Sequence, residues 1–269
     1  AVAVGGGGTV LAADGSSGLV RRLVLGEQGT LHQSGASFTS AGATSVVLAP
    51  DGRTGVAIGA VVESFTVWDM KPIGTPTNLG TAVVSAVFSP QGDRLLLRTS
   101  ANVSAWSYDR GTGRLGATPL FTVGLGGASR VWGVDQLDVS PDGAKLYVTC
   151  GGVKGTACVI DAASGQVAAT IPVGHTPFGP ALVPGGKRLL VCNRFNNDVS
   201  VIDLEANKET ARVKAIREPH KVAVTPNGSL AFVSNLLPVD ASDSYNVAAE
   251  VTVIDLGSLE TSKIRLPNG

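Results

Sequence analysis

Among the cationic or titratable side chains between positions 175 and 221 of a 269-residue chain whose charged content is only 16%, five fall in loops or at strand starts on one side of the repeat: His175, Arg194, Arg217, His220 and Lys221. Arginine offers a planar fork of donors that matches a carboxylate or phosphate, and histidine titrates near neutrality. Together these residue types describe an anion or carboxylate subsite, with Asp135 as a further candidate beside them. The alternative is a solvated rim in which Asp135 and Glu218 merely pair with the cations. A metal site is not expected, because His175 and His220 have no evident third ligand. No catalytic residue is assigned. The chain has no Gly-x-Ser-x-Gly elbow and no Cys-x-x-Cys-His haem attachment site. The glycine-rich stretch 118–133 lacks the strand–GxGxxG–helix context of a phosphate loop. No cofactor is expected, and whether the protein is an enzyme is left open, with the balance towards a non-enzyme.

The elements that must position these residues are short and repeated. Glycine (35) and proline (14) are abundant while aromatic residues make up 5%, a mix that suits many strands joined by tight turns. A turn recurs as Pro50-Asp51-Gly52, Pro90-Gln91-Gly92, Pro141-Asp142-Gly143, Pro184-Gly185-Gly186 and Pro226-Asn227-Gly228. Each is preceded by a short apolar strand such as Val222-Ala223-Val224 and followed by another such as Leu189-Leu190-Val191. A third strand ends on aspartate in Val67-Trp68-Asp69, Val159-Ile160-Asp161, Val201-Ile202-Asp203 and Val253-Ile254-Asp255, with a looser version at Trp106-Ser107-Tyr108-Asp109. A variable fourth strand leads on. The N-terminal segment repeats the plan with a worn turn.

Self-similarity at this period, with four strands per unit, predicts an all-β fold: a β-propeller of four-stranded antiparallel blades. Six blades are legible in a single domain spanning 1–269, at about 1–43, 44–82, 83–133, 134–179, 180–221 and 222–269. The Pro-x-Gly turns are expected on one rim, in a structural role. The interblade connections and the loops between second and third strands are expected on the other, at the channel mouth. That second face collects all five cationic candidates with Arg130, Trp132, Asn196, Asn197 and Glu218. The third-strand aspartates are expected to bond backbone N–H groups of the turns that follow them. The loop from Leu236 to Glu250, with Asp240, Ser242, Asp243, Tyr245 and Asn246, reads as a surface insertion.

The second strands Tyr147-Val148-Thr149-Cys150, Leu190-Val191-Cys192-Asn193 and Phe232-Val233-Ser234-Asn235 resemble the signature of YVTN-repeat propellers, over residues 134–269. Residues 1–133 keep the turn but not the signature and look more like lactonase-type propellers. The stretch from Cys192 to Asp203 resembles bacterial multidomain proteins that join such a propeller to cytochrome c-like domains. The family usually has seven blades, so the resemblance implies either a six-bladed ring or a chain whose last blade is missing. It also implies an extracytoplasmic (periplasmic or extracellular) binding or scaffold module that recognises a protein partner or a small anionic ligand. A lactonase-like hydrolase is one alternative. A docking or sensor domain of a larger redox protein is another, with a partner domain outside this chain.

Lys+Arg and Asp+Glu are both 21, so the broad basic field of a non-specific nucleic-acid binder is absent and no nucleic acid is expected as a partner. No apolar run is long enough for a membrane-spanning helix. The chain begins at Ala1 without a basic segment followed by an apolar one, so a signal peptide is not expected within it. Of the three cysteines, Cys150 and Cys158 flank a hairpin and could face each other, though two buried thiols are the simpler reading. Cys192 lies one residue out of phase with Cys150 and is expected to be a buried thiol outside any disulfide.

Overall fold

The computed structural model describes residues 2–5, 8–26, 30–125, 137–151, 153–240 and 248–266. Among them, twenty-four strands form six four-stranded antiparallel sheets, and the only helical segment in the 137–266 part is one 3-10 turn at Arg194–Asn196. In each sheet consecutive strands pair in chain order, as a propeller blade requires. The all-β propeller fold expected from the repeat is the fold observed.

The framework divides into two units, Ala1–Gly124 and Leu125–Gly269. The first holds the sheets β1 (Val2–Val4), β2 (Thr9–Asp14), β3 (Leu19–Leu25), β4 (Leu31–Thr39); β5 (Ser45–Leu48), β6 (Thr54–Ile58), β7 (Val62–Thr66), β8 (Pro72–Thr77); and β9 (Val83–Phe88), β10 (Arg94–Thr99), β11 (Asn102–Asp109), β12 (Arg114–Gly124). The second holds β13 (Leu137–Val139), β14 (Lys145–Cys150), β15 (Thr156–Asp161), β16 (Val167–Pro172); β17 (Pro177–Leu182), β18 (Arg188–Asn193), β19 (Asp198–Asp203), β20 (Lys208–Lys214); and β21 (Pro219–Val224), β22 (Leu230–Asn235), β23 (Glu250–Asp255), β24 (Thr261–Arg265).

Each of the five Pro-x-Gly turns joins the first and second strands of its sheet. In every one the glycine N–H donates to the carbonyl three residues back, from Gly52 to Ala49 (2.9 Å) through Gly228 to Thr225 (2.8 Å). Gly52 has φ of +70°, a conformation that favours glycine. Asp51, Asp142 and Asn227 accept from the backbone N–H two residues on, at 2.9, 3.0 and 3.1 Å. The aspartates closing the third strands act similarly. Asp161 takes the N–H groups of Ala163 and Ser164, Asp203 those of Glu205 and Ala206, and Asp255 those of Gly257 and Ser258. Asp69 is different: the third strand of its sheet ends at Thr66, so Val67-Trp68-Asp69, expected as the end of that strand, forms the turn after it, where the Asp69 carboxylate accepts the Thr66 hydroxyl and pairs with Lys71 at 3.1 Å.

Several middle strands are buried along most or all of their length. All five residues of β6 are buried, as are Leu189 to Cys192 of β18, because neighbouring sheets cover both faces within a unit. This is why they read as continuous apolar runs without alternation. Leu190, Val199 and Val201 of the fifth sheet pack with Ala231, Val233 and Ile254 of the sixth. Tyr147, Val159 and Ile171 of the fourth pack with Leu189, Val191 and Ile202 of the fifth. Burying each such Leu, Ile or Val contributes about 1.5–3 kcal/mol. Cys150, Cys158 and Cys192 are all buried thiols. Cys158 sits opposite Val148, and Cys150 opposite Thr156, so the two cysteines are diagonal neighbours on one face of the sheet rather than a directly opposed pair.

The fifth and sixth sheets begin at Pro177 and Pro219, slightly ahead of the expected 180 and 222. The reason is local. Thr176 and Glu218, each followed by proline, have φ of +52° and +53°, so the chain turns sharply there and starts its innermost strand at the proline.

Candidate functional site

Two corners of the second unit have the same construction: Gly174-His175-Thr176-Pro177 ahead of β17, and Ile216-Arg217-Glu218-Pro219 ahead of β21. Both place their middle residues beside the loop between β18 and β19. Asparagine side chains of that region hold the corners by accepting backbone N–H groups. Asn193 Oδ1 takes Gly174 (2.9 Å), Asn196 Oδ1 takes His175 (2.5 Å) and Asn197 Oδ1 takes Glu218 (2.8 Å). The loop returns the bonds, with Arg194 N–H donating to the Thr176 carbonyl at 3.1 Å. Space is tight, since a Cβ on Gly174 would lie 2.4 Å from Cγ of Asn193. Asn193 is itself fixed, donating to Ser200 (2.8 Å) and Asp198 (2.7 Å).

On this frame Arg194 donates from Nε (2.9 Å) and Nη2 (2.6 Å) to one carboxylate oxygen of Glu218. The guanidinium lies 5.2 Å from the ring centroid of Phe195 and 5.9 Å from that of Phe178. His175 packs on the other aromatic contact of Phe195, with ring centroids 5.1 Å apart, and His220 packs on Phe178 at 5.2 Å. The sequence His175–Phe195–Arg194–Phe178–His220 is thus one continuous cluster of rings and cations. Phe178 is buried, while Phe195 is 41% exposed. Burial lowers the His220 pKa from its ordinary value, and the charges of Lys221 and Arg194 lower it further, so the ring favours its neutral form.

Of the sequence candidates, His175, Arg194 and His220 therefore meet through two phenylalanines. Lys221 is exposed next to His220. Arg217 is exposed and turns the other way, into a groove of about 370 Å3 that it lines with Lys214, Lys263, Asn197, Val239 and Thr252. The carboxylate beside that groove, Glu250, is held by Lys263 at 2.6 Å. Asp135, Arg130 and Trp132 lie outside the described residues, as do Ser242, Asp243, Tyr245 and Asn246 of the blade-six loop. No group of three His, Cys, Asp or Glu side chains suited to a metal occurs among the described residues. The roles of Phe195 and of the asparagine clamps were not apparent from the sequence. The available signal was the doubled x-Pro corner, His175-Thr176-Pro177 and Arg217-Glu218-Pro219.

Six blades of this construction make the chain a β-propeller protein. No protein-family model and no curated protein matches it. Among solved structures it is similar to hydrazine synthase of Kuenenia stuttgartiensis, with a TM-score of 0.67 and 16% identity over 98% of this chain and 82% of that one. At that identity the likeness is one of fold. No helix among the described residues is long and apolar enough to cross a membrane.

Proposed function

We propose that the protein is a binding or scaffold module whose second unit recognises an anionic group of a partner or ligand at the connection face, where the interblade corners meet the β18–β19 loop. One observation carries this reading. Glu218 is committed to Arg194, which leaves the exposed Arg217 and Lys221 with no carboxylate partner among the described residues, Arg217 lining a groove with the further cations Lys214 and Lys263. Exposed cations on corners whose backbone is clamped by Asn193, Asn196 and Asn197 can receive a carboxylate or phosphate by charge-assisted bonds without reordering the backbone. A hydrolytic role is less favoured, since Glu218, the acidic residue closest in sequence to His220, is already held by Arg194. The asparagines Asn193 and Asn235 support a YVTN-type origin for the blades of this unit, because each donates to a side chain of the following strand, Asn193 to Ser200 and Asn235 to Thr252.

Calorimetric titration with a glutamate-rich peptide and with citrate tests the reading. Binding of either is expected, with Arg217→Ala and Lys221→Ala each weakening it about tenfold or more. Equal affinity of both variants and the native protein, or no binding at low ionic strength, overturns it.

A further inference from the structure

The rim that carries the Pro-x-Gly turns, assigned above to a purely structural role, holds a cavity in the first unit. Its volume is about 450 Å3, and its wall includes Arg22 of β3, Arg53 from the turn before β6, Trp68 from the turn between β7 and β8, and Arg110 from the turn between β11 and β12. Three independent features of this wall point to a ligand.

The first is charge. Three guanidinium groups line one concave site, no carboxylate contributes to its lining, and among the described residues none of the three forms an ion pair. Arginine does not shed its charge in proteins, so the site keeps its positive field at any physiological pH. The second is an orphaned donor. Nε of Arg22 is buried with no hydrogen-bond partner, and its Nη1 reaches only the Trp68 carbonyl, at 3.4 Å. A buried N–H without an acceptor is costly, and an anion in the cavity is the natural acceptor. The third is Trp68, which is 78% exposed although it is the largest apolar side chain type. An exposed indole at the edge of a cationic pocket is a platform for a flat ring.

We propose that this cavity binds a small organic anion bearing a planar ring, an aryl or nucleobase-type phosphate or carboxylate, with the anionic end among Arg22, Arg53 and Arg110 and the ring against Trp68. The site lies wholly within the first unit and is independent of the connection-face reading. Arg53 and Arg110 are exposed, so they can be changed without opening the core, and Arg110 already uses one donor on the Gln91 carbonyl at 3.0 Å. Its remaining donors are what a ligand would meet.

The test titrates the full chain with phenyl phosphate and benzoate, and in parallel with inorganic phosphate and phenol, by calorimetry and by tryptophan fluorescence. Saturable binding of phenyl phosphate or benzoate is expected, at least about tenfold tighter than inorganic phosphate or phenol, with a change in fluorescence that Trp68→Leu removes. Arg53→Gln and Arg110→Gln should each weaken it about tenfold or more while leaving the urea midpoint unchanged. Failure of both ring-bearing anions to bind, unaltered affinity in both arginine variants, or inorganic phosphate or phenol binding as tightly overturns the proposal.

Discussion

Arg194 and Glu218 hold each other through two donor atoms and one oxygen, although Arg194 follows the second strand of the fifth sheet and Glu218 precedes the first strand of the sixth. Their side chains are 18% and 23% exposed, so the pair is screened less than a surface bridge. Glu218 also accepts the N–H of Leu236 on its carbonyl at 3.0 Å, tying the pair into the sixth sheet.

Removing the acid should therefore cost more than a surface pair would. Glu218→Ala is expected to lower unfolding free energy by about 1.5–3 kcal/mol, because the guanidinium stays half-buried without its acceptor. Urea denaturation of Glu218→Ala, Arg194→Ala and the double variant checks this. The double variant should lose less than the sum of the two.

His220 makes stability depend on pH in a defined direction. Its folded pKa lies below the ordinary 6.5, so the unfolded chain takes up the proton more readily than the native one. This contribution is complete above pH 6.5 and declines as the pH falls below it, towards the depressed folded value. Urea midpoints of native protein and His220→Gln, compared across that range, should converge on the acid side.

The turn aspartates lose stability in the same direction, but at lower pH. Hydrogen bonds from the Ser164 hydroxyl and backbone N–H hold the Asp161 carboxyl below its ordinary 3.8. Their contribution is present above 3.8 and is lost as the pH falls below it towards the folded value. Native protein is expected to be more stable than Asp161→Asn at neutral pH, and the gap should close in acid, as followed by circular dichroism.

Gly52 isolates the cost of backbone conformation. A Cβ there would meet nothing within 4 Å, yet φ is +70°. Gly52→Ala is expected to destabilise by about 1–2 kcal/mol through strain alone, and Gly52→Asn by less, since asparagine tolerates this region. Thermal or urea unfolding of the two variants decides it.

Much of this architecture was legible before any coordinates. Pro141-Asp142-Gly143 and its equivalents announce a turn through residue types that allow few alternatives, and Leu189-Leu190-Val191 announces a strand covered on both faces. The site was legible only in part. His175, Arg194 and His220 could be placed at one end of their blades by counting from the turns. The direction of Arg217 could not, because a side chain at a corner is aimed by the left-handed residue beside it rather than by strand alternation. The cavity between Arg22 and Arg110 left no trace at all. Its four main residues come from four turns or strands with no shared spacing, and only the folded unit sets Trp68 beside them.

Thr176 brings one more consequence. A β-branched residue in the left-handed region, ahead of proline and 3% exposed, holds its corner against its own conformational preference. Replacing it with glycine would relieve that tension and raise the melting temperature, while loosening the segment that sets His175 against Phe195. Any programme to make this protein more heat-resistant will meet Thr176 early, and there thermal robustness and a well-ordered corner at the proposed site pull in opposite directions.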